Sequence, residues 1–219
     1  LSSGQEFLIC TNTSDQDWPA ISGNTVVWLD DRNGNWDIYG CRLWSVGDDF
    51  PICTEAGVQG WPVISGSLVV WEDLRGVSHD IYAYDLSTAE EFSVCTAPAD
   101  QTMPSVSGNI VVWQDTRNFL SSGYDVYAHD FSTGEEIAIS TAPGNQLVPA
   151  VSGSIVVWVD GRQGWHIYGY DLETGQEFPI CTAPGNQGHP AISGDFVVWE
   201  DERNGGWDIY GCNLSTGQE

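Results

Sequence analysis

Short runs of β-branched and aromatic residues alternate with turn residues along the whole chain. The most regular run is Val-Val-Trp-x-Asp, which occurs five times and always follows a Ser-Gly turn. Apolar runs of this length suit a strand that is covered on both faces. No stretch keeps the spacing of an amphipathic helix, and glycine or proline interrupts every segment. The pattern therefore predicts an all-β protein built from short strands.

The strand pattern returns five times with a nearly constant period. Each repeat has a proline in its first strand, and these prolines are Pro19, Pro62, Pro104, Pro149 and Pro190. Their spacings of 43, 42, 45 and 41 residues are typical of propeller blades. One blade leaves both sheet faces open, so blades must stack on each other. The sequence predicts a five-bladed β-propeller with four antiparallel strands, A to D, in each blade.

All 219 residues are predicted to form this single domain. We expect the first four blades at about 18–54, 61–96, 103–141 and 148–182, and a fifth that combines 189–219 with 6–11. The segment GQEFLICT at 4–11 matches strand D of blade 4, GQEFPICT at 175–182. The N-terminal strand is therefore predicted to complete blade 5 and close the ring, which removes exposed strand edges.

The charge of the chain restricts its partners. The net charge is −25 and there is no lysine, so nucleic acid and anionic membranes are not expected to bind. No apolar run is long enough to span a membrane. Met103 is the only methionine, and no initiator or signal segment is present. We expect a mature or excised piece of a longer exported protein, located outside the cell or at its surface.

Five of the six arginines occupy one repeated position, two residues after an aspartate. The pairs are Asp30–Arg32, Asp73–Arg75, Asp115–Arg117, Asp160–Arg162 and Asp201–Arg203. They could form a ring of ligand-binding cations, or each pair could hold the B–C turn through a charge-assisted hydrogen bond. The structural role is favoured because every blade has the pair. The strand B tryptophans are assigned to the core; they are Trp28, Trp71, Trp113, Trp158 and Trp199.

The cysteines also follow the repeat. Strand D carries Cys10, Cys53, Cys95 and Cys181, and strand C carries Cys41 and Cys212. An exported setting favours disulfides. We predict the bridges Cys10–Cys212 and Cys41–Cys53, with Cys95 and Cys181 as buried thiols. The alternative is that each cysteine is simply a small buried apolar residue.

The phrase D-x-R-N-G-N-W-D-I-Y, followed by a turn of the type D-L-S-T-G-E, resembles the repeats of TolB-type propellers in prokaryotic cell-surface proteins. The resemblance covers the whole chain and implies the propeller fold. TolB-type domains mostly act as protein-interaction platforms, whereas some related propellers are lyases with a histidine-held metal. His79, His129, His166 and His189 lie at unequal repeat positions, so no metal or other cofactor is expected.

No sequence motif for catalysis stands out. The chain has no nucleophile elbow, no H-E-x-x-H, no phosphate loop and no C-x-x-C. We therefore predict that the chain is not an enzyme. The less favoured enzymatic alternative is a polysaccharide lyase or glycosidase at the channel mouth.

The D–A and B–C loops share one end of the propeller, and the differences between blades concentrate there. The ligand-binding residues predicted at this end are Gln16, Trp18, Gln59, Trp61, Gln101, Met103, Gln146, Gln187 and His189. Aromatic faces beside amides suit sugars or peptide side chains. Alternatively, a tryptophan before strand C, such as Trp36, only covers the next blade, and the glutamines only bond to backbone around the channel. We expect a binding or scaffold module for protein or carbohydrate, with a multivalent lectin as the alternative.

Overall fold

The computed structural model describes residue 4 and residues 6–219, and these residues form no helix. Nineteen strands in this described part of the chain make five antiparallel sheets, four with four strands and one with three. The predicted strand pattern A to D is present in every sheet except the last, which lacks strand D. The chain packs as two compact units, residues 1–93 and 94–219, which are described in turn. The described residues contain no helix that is long and apolar enough to cross a membrane.

The first unit contains the sheets of blades 1 and 2, apart from the last two residues of β8. Blade 1 consists of β1 (Gln16–Ser22), β2 (Thr25–Asp30), β3 (Asp37–Arg42) and β4 (Phe50–Cys53). Blade 2 consists of β5 (Gln59–Ser65), β6 (Leu68–Asp73), β7 (Asp80–Asp85) and β8 (Glu90–Cys95). Within each blade the strands pair in chain order.

The second unit contains blades 3 to 5. Blade 3 consists of β9 (Gln101–Ser107), β10 (Ile110–Asp115), β11 (Asp125–Asp130) and β12 (Glu135–Ser140). Blade 4 consists of β13 (Gln146–Ser152), β14 (Ile155–Asp160), β15 (His166–Asp171) and β16 (Gln176–Cys181). Blade 5 consists of β17 (Gln187–Ser193), β18 (Phe196–Asp201) and β19 (Asp208–Asn213).

Strand B is the buried centre of blades 1 to 4, and in blade 5 its Val197 and Trp199 are buried. Val69, Val70 and Trp71 are fully buried, and the equivalent residues of blades 3 and 4 are buried to the same degree. The five strand B tryptophans are at most 4% exposed, which confirms their assignment to the core. A side chain of this size buries about 150–250 Å², so these tryptophans supply much of the apolar contact that holds adjacent sheets together.

Blade 5 differs from the other blades at its outer edge. In the described residues β19 has β18 as its only strand partner, apart from a single bridge to Gln218. Ile209 of β19 is 73% exposed, whereas the equivalent Ile38, Ile81 and Ile167 are fully buried. The segment Phe7–Thr11 forms no strand. Closure of the ring by this segment therefore stays a prediction.

The predicted disulfides are not present, because all six cysteines are free thiols. The pairing of β3 with β4 places Cys53 opposite Ile38, three residues away from Cys41. Residues an odd number apart on a strand face opposite sides of the sheet. Accordingly, Cys41 packs with Val26 and Trp28, whereas Cys53 packs with Ile38 on the other face. The prediction of a Cys41–Cys53 bridge is wrong, and Cys10 and Cys212 are likewise free.

Thiol titration checks this correction. We expect six titratable thiols in denaturant without reductant, in agreement with six free cysteines. In the folded protein, burial raises the pKa of Cys53 to about 12 and that of Cys95 to about 11, so both should react slowly at neutral pH. A count of two thiols under denaturing, non-reducing conditions would restore the disulfide proposal.

Candidate functional site

The site begins with an irregularity that all five blades share in strand A. In β1, Asp17 pairs with Leu29 and Ala20 pairs with Val27, so Trp18 and Pro19 share one position of the ladder. Such a bulge suits proline, which has no N–H to donate to the ladder. The same register shift occurs in the other four blades. The residue before each proline is therefore held out of the regular strand.

That residue has a left-handed backbone in every blade. The φ angles are 49° at Trp18, 48° at Trp61, 53° at Met103, 52° at Val148 and 45° at His189. Non-glycine residues rarely adopt this region, and a β-branched residue such as valine is a clear outlier there. Strained backbone of this kind costs about 1–3 kcal/mol per residue and clusters at functional sites. The residue at this strained position also varies between blades.

Trp18 and Trp61, two of the predicted ligand-binding residues, are in contact. Their ring centroids lie 3.9 Å apart and the planes are tilted by 49°. The residues remain 46% and 38% exposed, so part of each ring faces solvent. The backbone N–H of Trp18 donates to Oδ1 of the exposed Asp17 at 2.8 Å, so a carboxylate lies next to the Trp18 backbone. The pair is thus an exposed apolar surface with acidic surroundings.

The predicted role of the glutamines needs correction. Gln59, Gln101, Gln146 and Gln187 are at most 1% exposed, so a ligand cannot reach them. The side-chain amides of Gln101, Gln146 and Gln187 donate to carbonyls of the D–A loops; for example, Gln101 Nε2 lies 3.0 Å from Ala99 O. Only Gln16 is exposed, and its amide donates to Ser14 O. The alternative interpretation, that glutamines bond to backbone, is the one that the structure supports.

The buried glutamine also forms a hydrogen bond with the residue that starts strand C of the preceding blade. Oriented to satisfy its neighbours, the Gln59 amide donates to Trp36 O at 3.0 Å and to Asp37 Oδ1 at 3.2 Å. In blade 4 the aspartate is replaced by His166, whose Nδ1 lies 2.8 Å from Gln187 Oε1. The Asp37 carboxylate accepts from the N–H of the Gln59 amide, whereas the His166 ring N–H donates to the amide oxygen of Gln187. This contact explains why histidine can replace aspartate at this repeat position.

Each Asp–Arg pair is a structural unit, as the sequence predicted. In blade 2, Arg75 donates to both carboxylate oxygens of Asp73 at 2.8 and 2.7 Å, and Trp71 Nε1 donates to the same carboxylate at 2.9 Å. The Asp73 side chain is fully buried. Burial alone would raise its pKa, but the hydrogen bonds from Arg75 and Trp71 outweigh this effect and lower it.

Every arginine of these pairs has further partners. Each contacts a second carboxylate at 2.6–2.7 Å; these carboxylates belong to Asp49, Glu91, Glu136, Glu177 and Glu219. Each guanidinium also lies 3.9–4.6 Å from the ring centre of a strand C tyrosine. The ligand-binding alternative for the arginines has no support, because their charges are already neutralised within the blade.

The strand D cysteines are acceptors for these arginines. Arg75 Nη2 lies 3.4 Å from Cys53 Sγ, and Arg203 Nη2 lies 3.1 Å from Cys181 Sγ. In blade 3 the strand D position is filled by Ser140, whose Oγ is 3.4 Å from Nη2 of Arg162 in blade 4. Arg32 makes this contact with Cys10 at 3.5 Å. The N-terminal segment therefore meets blade 1 in the way that a strand D meets the blade after it.

Sequence reasoning missed the residue that precedes the aspartate at the end of strand B. It pairs across the ladder with the residue just before the bulge, as Glu72 does with Gly60 and Glu200 does with Gly188. Glu200 Oε2 lies 3.0 Å from Nδ1 of the exposed His189. In blade 3, Gln114 Oε1 accepts from the N–H of Val148 at 3.4 Å. The signal was available, since this position varies in an otherwise constant Val-Val-Trp-x-Asp run.

The remaining predicted residues occupy the same strained position. Met103 is half-buried, and His189 is exposed. Beside His189, a cavity of about 360 Å³ is lined by Val148 together with Trp165 and Trp207 from the B–C loops. In the described part of the chain, no group of three or more histidine, cysteine or acidic side chains is arranged to hold a metal ion.

Comparison with known proteins identifies the fold. No protein-family model matches the chain, and no curated protein matches its sequence. Among solved structures, a TolB protein of Agrobacterium tumefaciens superposes with a TM-score of 0.70 at 16% identity, over 95% of this chain and 80% of that one. TolB of Acinetobacter baumannii gives 0.66 at 18% identity, over 93% of this chain and 53% of that one. The chain has a TolB-like β-propeller fold. The resemblance of the repeats to TolB-type propellers is thereby confirmed.

The prediction that the chain is not an enzyme is corrected by a third structure. An oligogalacturonate lyase in complex with manganese shares the TolB-like fold, with a TM-score of 0.64 at 14% identity, over 89% of this chain and 60% of that one. Because enzymes also have this fold, the lack of a short catalytic motif does not exclude catalysis. The chain spans just over half the length of the second TolB and 60% of the lyase.

Proposed function

We propose that this chain is a binding or scaffold module that contacts a protein or glycan partner through the end bearing the D–A and B–C loops. The contact between Trp18 and Trp61 carries the proposal, because two large apolar rings stay partly exposed on strained backbone. An exposed aromatic cluster is typical of interaction sites. A TolB-like fold also suits interaction with other proteins.

The variation between blades supports the choice of this end. The residue before each proline and the strand B residue between the constant tryptophan and aspartate both vary between blades, whereas the buried glutamine and the Trp–Asp–Arg unit repeat. At the other end, the Ser-Gly turns are nearly constant. Residues that serve only the fold are expected to repeat, so a ligand is expected where the repeat breaks.

The proposed location is outside the cell or at its surface. Its support is the charge of −25 without any lysine, which suits surroundings where counterions screen self-repulsion. The cysteines no longer contribute to the argument, because all six are free. The parent would be a larger surface protein of which this chain is one module.

A ligand screen with a matched variant tests the proposed function. Wild-type protein and a Trp18→Gly/Trp61→Gly variant would be applied to a glycan array and to a displayed peptide library. Glycine adopts a positive φ without strain, so the variant should fold. We expect ligands that bind wild type and are lost from the variant. The proposal fails if every ligand recovered binds both proteins equally.

A multivalent lectin is the second candidate, and one observation favours it. The cavity beside His189 is lined by Trp165 from the B–C loop of blade 4 and Trp207 from the B–C loop of blade 5. Both blades therefore carry an exposed tryptophan at the same repeat position. Several near-equivalent sites on one chain would give avidity for a repeated glycan. Titration calorimetry separates the candidates, since a lectin would take up more than one sugar per chain and a platform one partner.

We further propose that Phe7–Thr11 completes blade 5 as its missing strand D. Two observations support this closure: Cys10 contacts Arg32 as a strand D cysteine does, and a cavity of about 770 Å³ lies beside β19, lined in part by Phe178, Cys212 and Leu214.

Deletion of residues 1–12 tests the closure. We expect the variant to melt several degrees lower and to self-associate, because the edge of β19 and the face around Cys41 would both lose cover. Calorimetry and sedimentation would measure the two effects. An unchanged melting temperature in a monomeric variant would contradict the closure.

A further inference from the structure

The chain has almost no positive charge with which to bind an anion. Lysine is absent, and five of the six arginines are each held between two carboxylates. The sixth, Arg42, lies over the rings of Trp44 and Phe50 beside the C–D turn of blade 1, at the other end of the blade from Trp18. An anionic ligand would therefore meet a surface of strongly negative potential without a counter-charge.

The surroundings of the two tryptophans are acidic at close range as well. Asp17 directly precedes Trp18, and its carboxylate accepts the N–H of that residue. Glu72 pairs across the ladder with Gly60, the residue before Trp61, but its side chain is buried and lies 3.7 Å from His79 Nδ1. Asp17 is therefore the exposed carboxylate that adjoins the pair. The faces of indole rings carry partial negative charge and attract cations such as lysine or arginine side chains.

These observations specify the ligand of the site, and the inference rests on the function proposed above. We propose that the Trp18–Trp61 pair binds a cationic side chain, lysine or arginine, of a basic partner segment. The cation stacks on the exposed indole faces, and Asp17 supplies the opposite charge. The net charge of −25 raises the rate at which such a segment arrives.

Binding of defined peptides tests the inference. The probes are labelled acetyl-Gly-Lys-Gly-Lys-Gly-Lys-Gly-amide, its arginine analogue, and analogues with serine or glutamate in place of lysine, measured by fluorescence anisotropy. We expect only the two basic peptides to bind. Raising the salt concentration from about 50 to about 300 mM should weaken their binding at least about fivefold, because screening reduces the attraction between opposite charges.

Three variants separate the site from general charge attraction. Trp18→Gly/Trp61→Gly should weaken binding of the basic peptides at least about tenfold, since the stacking surface is gone. Asp17→Asn keeps the acceptor for the Trp18 N–H and should weaken binding about twofold to fivefold. Trp44→Gly removes an exposed tryptophan at the other end of blade 1 and should leave binding unchanged.

The outcomes distinguish the inference from the proposed function. Equal binding of the lysine peptide to wild type and to the double glycine variant would mean that charge alone attracts it, and the inference would fall. A neutral glycan or peptide that needs both tryptophans, with no binding of the basic probes, would overturn the inference and support the proposed function. If no ligand depends on the pair, both are wrong.

Discussion

Replacing Arg75 by methionine is expected to lower the free energy of unfolding by about 3 kcal/mol, because a fully buried carboxylate would lose its ion pair. Asp73 would keep the hydrogen bond from Trp71 but no positive charge to offset its burial. Urea unfolding followed by tryptophan fluorescence would measure the change. A loss of this size is a large share of the stability of a typical domain.

The loss of stability in the Arg75→Met variant is expected to depend on pH. In the wild type the pKa of Asp73 is lowered, so its ion pair stabilises the fold above the unfolded pKa of about 3.9 and the contribution is lost as the pH falls below it. Without Arg75, burial should instead raise the pKa of Asp73, and the destabilisation should grow as the pH rises above about 4. The difference between the two proteins should therefore be larger at pH 7 than at pH 4.

Arg42 provides the matched control. It is the one arginine outside the repeated pairs, and its guanidinium lies 5.5 Å from the Trp44 ring centre near the surface. Arg42→Met should change the stability by less than about 1 kcal/mol. Equal losses for the two substitutions would contradict a special role for the Asp–Arg unit.

Replacing both Trp18 and Trp61 by alanine is expected to weaken ligand binding well over tenfold. Stacking contributes about 1 kcal/mol per ring beyond the apolar area that it buries, so the loss of two rings accounts for this factor. The rings are partly exposed, and their removal should cost the fold little. Titration calorimetry with a ligand recovered from the panels would measure the affinity, and thermal unfolding would measure the stability.

The two glycine substitutions serve as the second variant. If the alanine variant unfolds, the glycine variant should still fold, because φ angles near 48° cost glycine nothing. Unfolding of both variants would show that the tryptophans belong to the core. Unchanged affinity in a folded variant would show that the binding face lies elsewhere.

Much of the fold could be predicted from the sequence because it is repeated. Five copies of one pattern determine the strands, the buried tryptophans and the Asp–Arg units, and each of these depends on residues close together in the chain. Closure of the ring is different, because it depends on how segments at opposite ends of the chain meet.

The site was predicted less well, for reasons that particular residues show. Gln59 was predicted to bind ligand and Cys41 to pair with Cys53, and both predictions are wrong. Each depends on which face of the sheet a side chain occupies, and that face is known only when the register of the strands is known. The left-handed backbone at Val148 could not be expected, because valine before proline disfavours it. Trp18 and Trp61 were both predicted to bind a ligand; the structure places their rings in contact, and the ligand binding stays a prediction.

Radical footprinting of the tryptophans, read by mass spectrometry, tests the central claim most directly. The protein would be oxidised with and without a saturating amount of the tightest ligand from the peptide and glycan panels. Trp18, Trp61 and Trp44 are all exposed in the free chain, so each reports on its own surroundings. The account predicts that the ligand protects Trp18 and Trp61 and leaves Trp44 unchanged. Protection of Trp44, or of neither member of the pair, would contradict it.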